Sequence, residues 1–203
     1  MAIGTDVAAV SKGARTRRAI LDAAIIRFGR DGYRATSVAD IARDAGVGGT
    51  VAYAYFPNKD ALFLAAVDED ATAVIEEGLS GVFAELTVQD WRQRLVLTLV
   101  GALDVHPLAR RLLAGLEPEV TDRVLEISAL ADLRARCAEQ LRAEQVNGAV
   151  RADIDPTTMA NGIVAIVLSL LMSVVQIGGD AAFRYANDVA AVFEAAIERT
   201  PPA

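Results

Sequence analysis

The sequence predicts an all-helical fold in two parts, a small N-terminal head of three helices and a larger helical body. Three observations lead there. Apolar residues make up 53% of the chain but aromatic ones only 5%, the composition of a core built from Ala, Leu, Val and Ile. Apolar positions recur at steps of three and four from Ile20 to Ile197, which is the helical period. Breaks at Asp31-Gly32, Gly46, Pro57, Pro107, Pro118, Asn147-Gly148 and Gly178-Gly179 cut that pattern into helix-sized lengths.

The first helix runs from about Ala14 to Arg30, with Ile20, Leu21, Ala24, Ile25 and Phe28 inward. Before it, Met1 to about Gly13 has no periodicity and reads as an arm. Lys12, Arg15, Arg17 and Arg18 either reach a phosphate or minor groove or form the polar face of this helix. Ser37-Val38-Ala39-Asp40 has the spacing of a capping box, so a second helix starts at about Val38. Val38, Ile41, Ala42 and Ala45 make its buried stripe, and Gly46 supplies the positive φ of a tight turn. A third helix opens after Val47, with Val47, Val51, Ala52 and Phe56 inward and Gly48, Gly49, Thr50, Tyr53 and Ala54 outward. Two short helices across such a turn form a helix-turn-helix, whose second helix has the diameter of the DNA major groove. Thr36, beside the second helix's cap, either meets a phosphate or serves only as a cap.

Charge is distributed to suit that reading. Residues 1–60 hold nine Lys and Arg against six Asp and Glu, a net of +3, while the remainder holds 11 against 21, a net of −10. Phosphate attraction is local, because salt screens it beyond roughly 8 Å. A basic head on an acidic body therefore suits DNA binding; ordinary solvated faces are the alternative.

The run A-T-S-V-x-D-I-A followed by A-G-V-x-x-x-x-x-Y-x-Y-F-P-N-K-D-A-L-F resembles the signature of the TetR family of bacterial transcription regulators over about Arg17 to Val67. The resemblance implies phosphate contacts at Thr36, Tyr53, Tyr55 and Lys59. With base reading by Thr50 beside Gly48 and Gly49, and with the cap Ser37, these form the expected DNA-facing set. The chain departs from the family at Gly48 and Gly49, where a Ser and a basic or polar residue are usual, and at Ala52, where Leu or Val is usual.

The domain division expected is 1–59 for arm and DNA-binding head and 60–203 for the body. Asn58 caps a long helix beginning at Lys59-Asp60, with Leu62, Phe63, Ala66, Val67, Val74 and Ile75 apolar; Asp68, Glu69 and Asp70 on it read as a solvated face. A looser link, Gly78 to Thr87, leads to a helix from Val88 to Val105 with Trp91, Leu95, Val96, Leu99, Val100 and Leu103 mostly inward. Pro107 starts a short helix to Leu113, and Pro118 starts another reaching about Val146. Thr157 to Ile177 is apolar all round, yet its run from Gly162 to Val175 lacks basic flanks and falls short of the ~20 residues of a membrane span, so it reads as buried in protein. In the last helix, capped by Asp180, Phe183, Ala186, Ala190, Phe193 and Ile197 step by three and four. That seam, with Ile163, Ile166 and Leu170 on the preceding helix, predicts a surface shared between two copies, an intrachain core being the alternative. The resemblance adds dimerisation through this last pair as a four-helix bundle.

No G-x-G-x-x-G, P-loop or G-x-S-x-G occurs, and one His and one Cys allow neither a His cluster nor an internal disulfide, so no enzyme, cofactor or metal is expected. Cys137 reads as a buried thiol, and no signal peptide pattern opens the chain, which places the protein in the cytoplasm. By analogy with the family, Trp91, Leu99, Leu103, His106 and Met172 are candidate walls for an apolar effector, although His106 also fits a helix-end hydrogen-bonding role. The expectation is a dimeric repressor binding a pseudo-palindromic double-stranded operator and released by a small molecule. An activator, a sequence-tolerant DNA-binding protein, or a small-molecule binder without an operator are the alternatives.

Overall fold

The computed structural model describes residues 12–80, 90–179, 189, 191–193, 195 and 196, and the side chains at 90–94 and 124 fall outside the description. Phe183, Ala186, Ala190 and Ile197, the ring of Trp91, and most of the N-terminal arm and of the link before Asp90 lie outside the described residues. Among the described residues the chain is helical without strands, and by compactness it divides into residues 1–66 and 67–203.

The first unit holds α1 (Lys12–Ala35), α2 (Val38–Asp44), α3 (Gly49–Tyr55) and the start of α4 (Lys59–Leu79). α1 breaks at Gly32 (φ 85°, ψ 169°), a conformation closed to residues with a Cβ, so the regular helix ends where the Asp-Gly pair predicts. Ile20, Leu21, Ala24 and Phe28 of α1 are buried with Val38, Ile41 and Ala42 of α2, Ala52 of α3, Phe56, and Leu62, Phe63 and Ala66 of α4. Phe63 meets Phe28 and Tyr33 edge-on, each at 5.0 Å between centroids, and this trio ties the first helix to the fourth.

Polar contacts set the angles between these short helices. The Arg27 guanidinium on α1 grips both Asp44 carboxylate oxygens at the end of α2, at 2.5 and 3.0 Å, a forked pairing that fixes orientation as well as distance. Through that hydrogen bond Asp44 is held below the ordinary carboxylate pKa. Ser37 caps α2 by accepting from the Asp40 N–H and donating to the Asp40 carboxylate at 2.6 Å, so the box closes side chain to side chain. Asp40 is likewise lowered, first by Ser37 and then by Arg43. Gly46 takes φ 68° at the turn, and Asn58 accepts the Ala61 N–H to open α4.

The second unit holds the rest of α4 with α5 (Asp90–Ala102), α6 (Pro107–Leu113), α7 (Thr121–Val124), α8 (Ser128–Val146) and α9 (Pro156–Ile177). The single helix expected from Pro118 to Val146 is instead two, because Ile127 is extended (φ −64°, ψ 152°) and buried. α8 and α9 pack together, joined by a turn in which Gly148 has φ 81° and Gln145 donates to the carbonyls of Arg151 and Ile154. Asp155 caps α9 through the Thr158 N–H at 2.7 Å, with Pro156 in the first turn, and hydrogen bonding from the Thr158 side chain, then from that N–H, lowers its pKa.

α9, at 22 residues, is by length and composition alone long and apolar enough to cross a membrane. Its Ala160, Ile163, Val164, Val167, Leu170 and Leu171 are buried within the protein. Cys137 is fully buried on α8.

Candidate nucleic-acid interface and the body cavity

α3 is only seven residues long and Ala52 is its sole buried residue, with Phe56 buried at its C-cap. Successive residues on a helix are turned by about 100°, so pinning position 52 turns position 51 away. Val51, expected inward, is 41% exposed. The outward face is therefore Thr50, Val51, Tyr53 and Ala54, with Gly48 ahead of them and Gly49 and Tyr55 half-buried. It carries no charge: hydroxyls and apolar groups alone are offered.

Gly48 and Gly49 have ordinary helical or extended backbone, and a Cβ added at Gly49 would meet nothing within 4 Å. Nothing inside the head requires glycine there.

Around this helix the other expected contacts separate. Ser37 is exposed at the start of α2. Lys59, at the start of α4, holds its ammonium 4.3 Å from the centre of the Tyr33 ring and 3.5 Å from the Arg34 carbonyl. The Tyr33 hydroxyl donates to Asp60. Arg17 lies over the Phe56 ring at 5.2 Å and is itself exposed.

Thr36 departs from expectation. It is 2% exposed and its hydroxyl donates to the Gly32 carbonyl at 2.8 Å, bracing the break in α1 rather than facing solvent. Four head arginines are paired with carboxylates: Arg18 with Asp22, Arg27 with Asp44, Arg30 with Asp31 and Arg43 with Asp40.

In the body, a cavity of about 90 Å³ lies among α4, α5, α6, α8 and α9. Leu99 and Leu103 line it together with Val67, Ala71, Leu112 and Leu171. Met172 is 38% exposed and absent from the wall, because it sits one position past inward Leu171 on α9. His106 is also absent from the wall: its Nδ1 meets the Asp70 Oδ1 at 2.7 Å, and both residues are buried. The second Asp70 oxygen accepts the Ala109 N–H at 2.8 Å, so this carboxylate caps α6 across 39 residues of sequence. Asp68 does the same for α8, accepting from the Ser128 hydroxyl and the Ala129 N–H. The solvated face expected at Asp68 and Asp70 is thus a pair of helix caps, visible only once α6 and α8 are laid against α4. Among the described residues no group of His, Cys, Asp or Glu could hold a metal ion.

On α9, Ile163 (1% exposed) and Leu170 (9%) point into the chain's own core, contrary to their expected place on a surface shared with a second copy. Ile166 is half-buried, and the open stripe runs through Gly162, Ala165, Ser169, Met172 and Gln176. Phe193 is buried.

The first unit carries a helix-turn-helix, α2 and α3, and the second unit is helical. Residues 20–66 match the model of the family described as bacterial regulatory proteins, tetR family. No curated protein matches the chain. Among solved structures, a candidate TetR-family transcriptional regulator from Mesorhizobium loti is 24% identical, with a TM-score of 0.69 over 93% of this chain and 100% of that one. A TetR-family transcriptional regulator from Cytophaga hutchinsonii is 20% identical (TM-score 0.68; 95% and 99% covered). The fatty acid degradation regulator FadR from Bacillus halodurans is 19% identical (TM-score 0.66; 95% and 96% covered). At these identities the likeness is one of fold.

Proposed function

We propose that the protein is a cytoplasmic, ligand-responsive repressor that binds a pseudo-palindromic operator as a homodimer and lets go when a small apolar molecule enters the body. The observation that carries the DNA reading is the outward face of α3, where Thr50, Val51, Tyr53 and Ala54 stand free on a helix that buries only Ala52. A helix held so lightly by its own protein leaves most of its surface for a groove. Val51 and Thr50 suit apolar contact with thymine methyl groups, and the hydroxyls of Tyr53 and Tyr55, with Lys59 and Ser37, suit phosphates. Gly48 and Gly49 let the helix start approach the duplex closely.

Dimerisation through α9 and the last helix accounts for the open stripe on α9. Gly162, Ala165, Ser169, Met172 and Gln176 step by three, four, three and four, the period of a helix-packing seam. The hydroxyl of Ser169 donates to the Ala165 carbonyl, so covering it strands no donor. Two heads would then meet half-sites about one helical turn apart.

A second reading, sequence-tolerant DNA binding, is favoured by the absence of any charged or amide side chain on α3. One experiment separates them: fragments are selected from random duplex, and binding to a selected and a scrambled duplex is compared at two salt concentrations. The repressor reading expects a palindromic consensus bound about 10³-fold more tightly than the scramble. Equal affinities favour sequence-tolerant binding, and no binding to either would overturn both readings.

A further inference from the structure

The cations of the head fall into two groups by what holds them. Arg18, Arg27, Arg30 and Arg43 each lie against a carboxylate, so their charge is neutralised within the protein. Arg17 and Lys59 lie instead against aromatic rings: the Arg17 guanidinium carbon is 5.2 Å from the centre of the Phe56 ring, and the Lys59 ammonium is 4.3 Å from that of Tyr33. A ring attracts a cation through its quadrupole but carries no net charge, so it sets the position of the group and leaves the charge uncompensated. Arg17 and Arg18 are neighbours in sequence, yet the helical period separates them. Arg18 has Asp22 one turn on and pairs with it at 2.8 Å, whereas the residues one turn from Arg17, Gly13, Ala14, Ile20 and Leu21, include no acid. Among the described residues no carboxylate pairs with Arg17, and the side chain is exposed. Phe56 is 4% exposed and forms the C-cap of α3, its N–H donating to the Ala52 carbonyl at 3.0 Å. A charge resting on that ring is tied to the end of α3.

We propose that Arg17 is a DNA phosphate contact, positioned beside the end of α3 by the Phe56 ring; this rests on the reading of α3 as the DNA-facing helix. α3 has no charged side chain, so the attraction to phosphates has to come from residues around it. With Lys59 alone a dimer would neutralise two phosphates, giving a slope of log affinity against log salt of about −2. Arg17 in each head takes that slope to about −4.

The test follows duplex binding by the full chain between about 50 and 200 mM salt, with thermal unfolding of each variant alongside. Arg17→Met keeps an apolar stem over Phe56 and removes the charge. It should reduce the slope by about two units, so that its loss of affinity at the lower salt exceeds that at the higher by about tenfold, alike for selected and scrambled duplex. Arg17→Lys should keep the parent slope. Arg17→Gln removes the charge from a polar side chain and should repeat the Met result, which guards against the case in which Arg17→Met fails to fold. Phe56→Leu should weaken binding by about two- to fivefold in the parent and add no further loss in Arg17→Met. If the parent binds with a steep slope and both uncharged variants share it, the Arg17 contact is overturned and the DNA reading stands. A parent that binds no duplex at any salt overturns the DNA reading and the contact with it. Equal losses from Phe56→Leu in both backgrounds overturn the positioning role of the ring.

Discussion

Asp70 joins three pieces of the body through one carboxylate, and its removal has a calculable cost. It is 3% exposed and accepts two hydrogen bonds, from His106 Nδ1 at 2.7 Å and from the Ala109 N–H at 2.8 Å. In Asp70→Ala both donors lose their partner while buried, at roughly 1–3 kcal/mol each. His106 can recover part of its share by moving its proton to Nε2, which lies 3.4 Å from Glu77 Oε1 and has no hydrogen-bond partner of its own. The Ala109 N–H, in the first turn of α6, has no such escape. We therefore expect a loss of about 2–4 kcal/mol, towards the lower end of what breaking a buried pair costs.

At about 2–4 °C per kcal/mol for a chain of this size, the melting temperature should fall by roughly 5–15 °C. Asp70→Asn keeps an oxygen for the Ala109 N–H and should lose only about 1 kcal/mol. Urea unfolding of the parent, Asp70→Ala, His106→Ala and the double variant gives the coupling energy, expected to exceed about 1 kcal/mol. If Asp70→Ala stays within about 0.5 kcal/mol of the parent, the cap described for α6 is wrong.

Four further outcomes follow from the geometry. Lys59→Ala should weaken binding to all duplexes alike and, with one Lys59 lost from each head of the dimer, reduce the slope of log affinity against log salt by about two units, measured by fluorescence anisotropy. Val51→Ala should instead leave the slope unchanged and narrow the gap between selected and scrambled duplex by about 1 kcal/mol or more. Asp44→Asn removes a carboxylate whose folded pKa is depressed by Arg27, so its deficit relative to the parent should be full above the ordinary carboxylate range, shrink as pH falls below about 4 and vanish in strong acid; urea midpoints at neutral and acid pH read this. Gly78→Ala places a Cβ 2.6 Å from Leu99 Cδ2, so Leu99 must move; the strain, about 1–3 kcal/mol, outweighs the ~1 kcal/mol gained in helix propensity, giving a net loss of about 1 kcal/mol in urea unfolding.

Local chemistry was legible in the sequence where a residue acts on its near neighbours. Ser37 capping α2, the end of the regular first helix at Asp31-Gly32, the positive φ at Gly46, Asn58 opening α4 and Pro107 in a first turn were all readable, because each effect spans four residues or fewer. What escaped depends on long-range packing. Asp68 and Asp70 look like ordinary surface acids until α8 and α6 arrive 61 and 39 residues later. Val51 has the apolar character of a core residue, and only the short contact made by α3 through Ala52 turns it outward. Ile163 and Leu170 lie on a helix apolar on every side, where composition cannot say which face meets the chain's own core. At Thr36 the same hydroxyl suits a phosphate or the Gly32 carbonyl, and the break in α1 decides for the carbonyl.

The most direct measurement is the salt dependence of binding to a duplex selected from random sequence, followed with the purified chain between about 50 and 200 mM salt. Two heads gripping phosphates should give a steep negative slope of several units, together with a strong preference for the selected palindrome over its scramble. A flat slope, or no complex even at the lowest salt, would contradict the assignment of α3 and its surroundings to DNA.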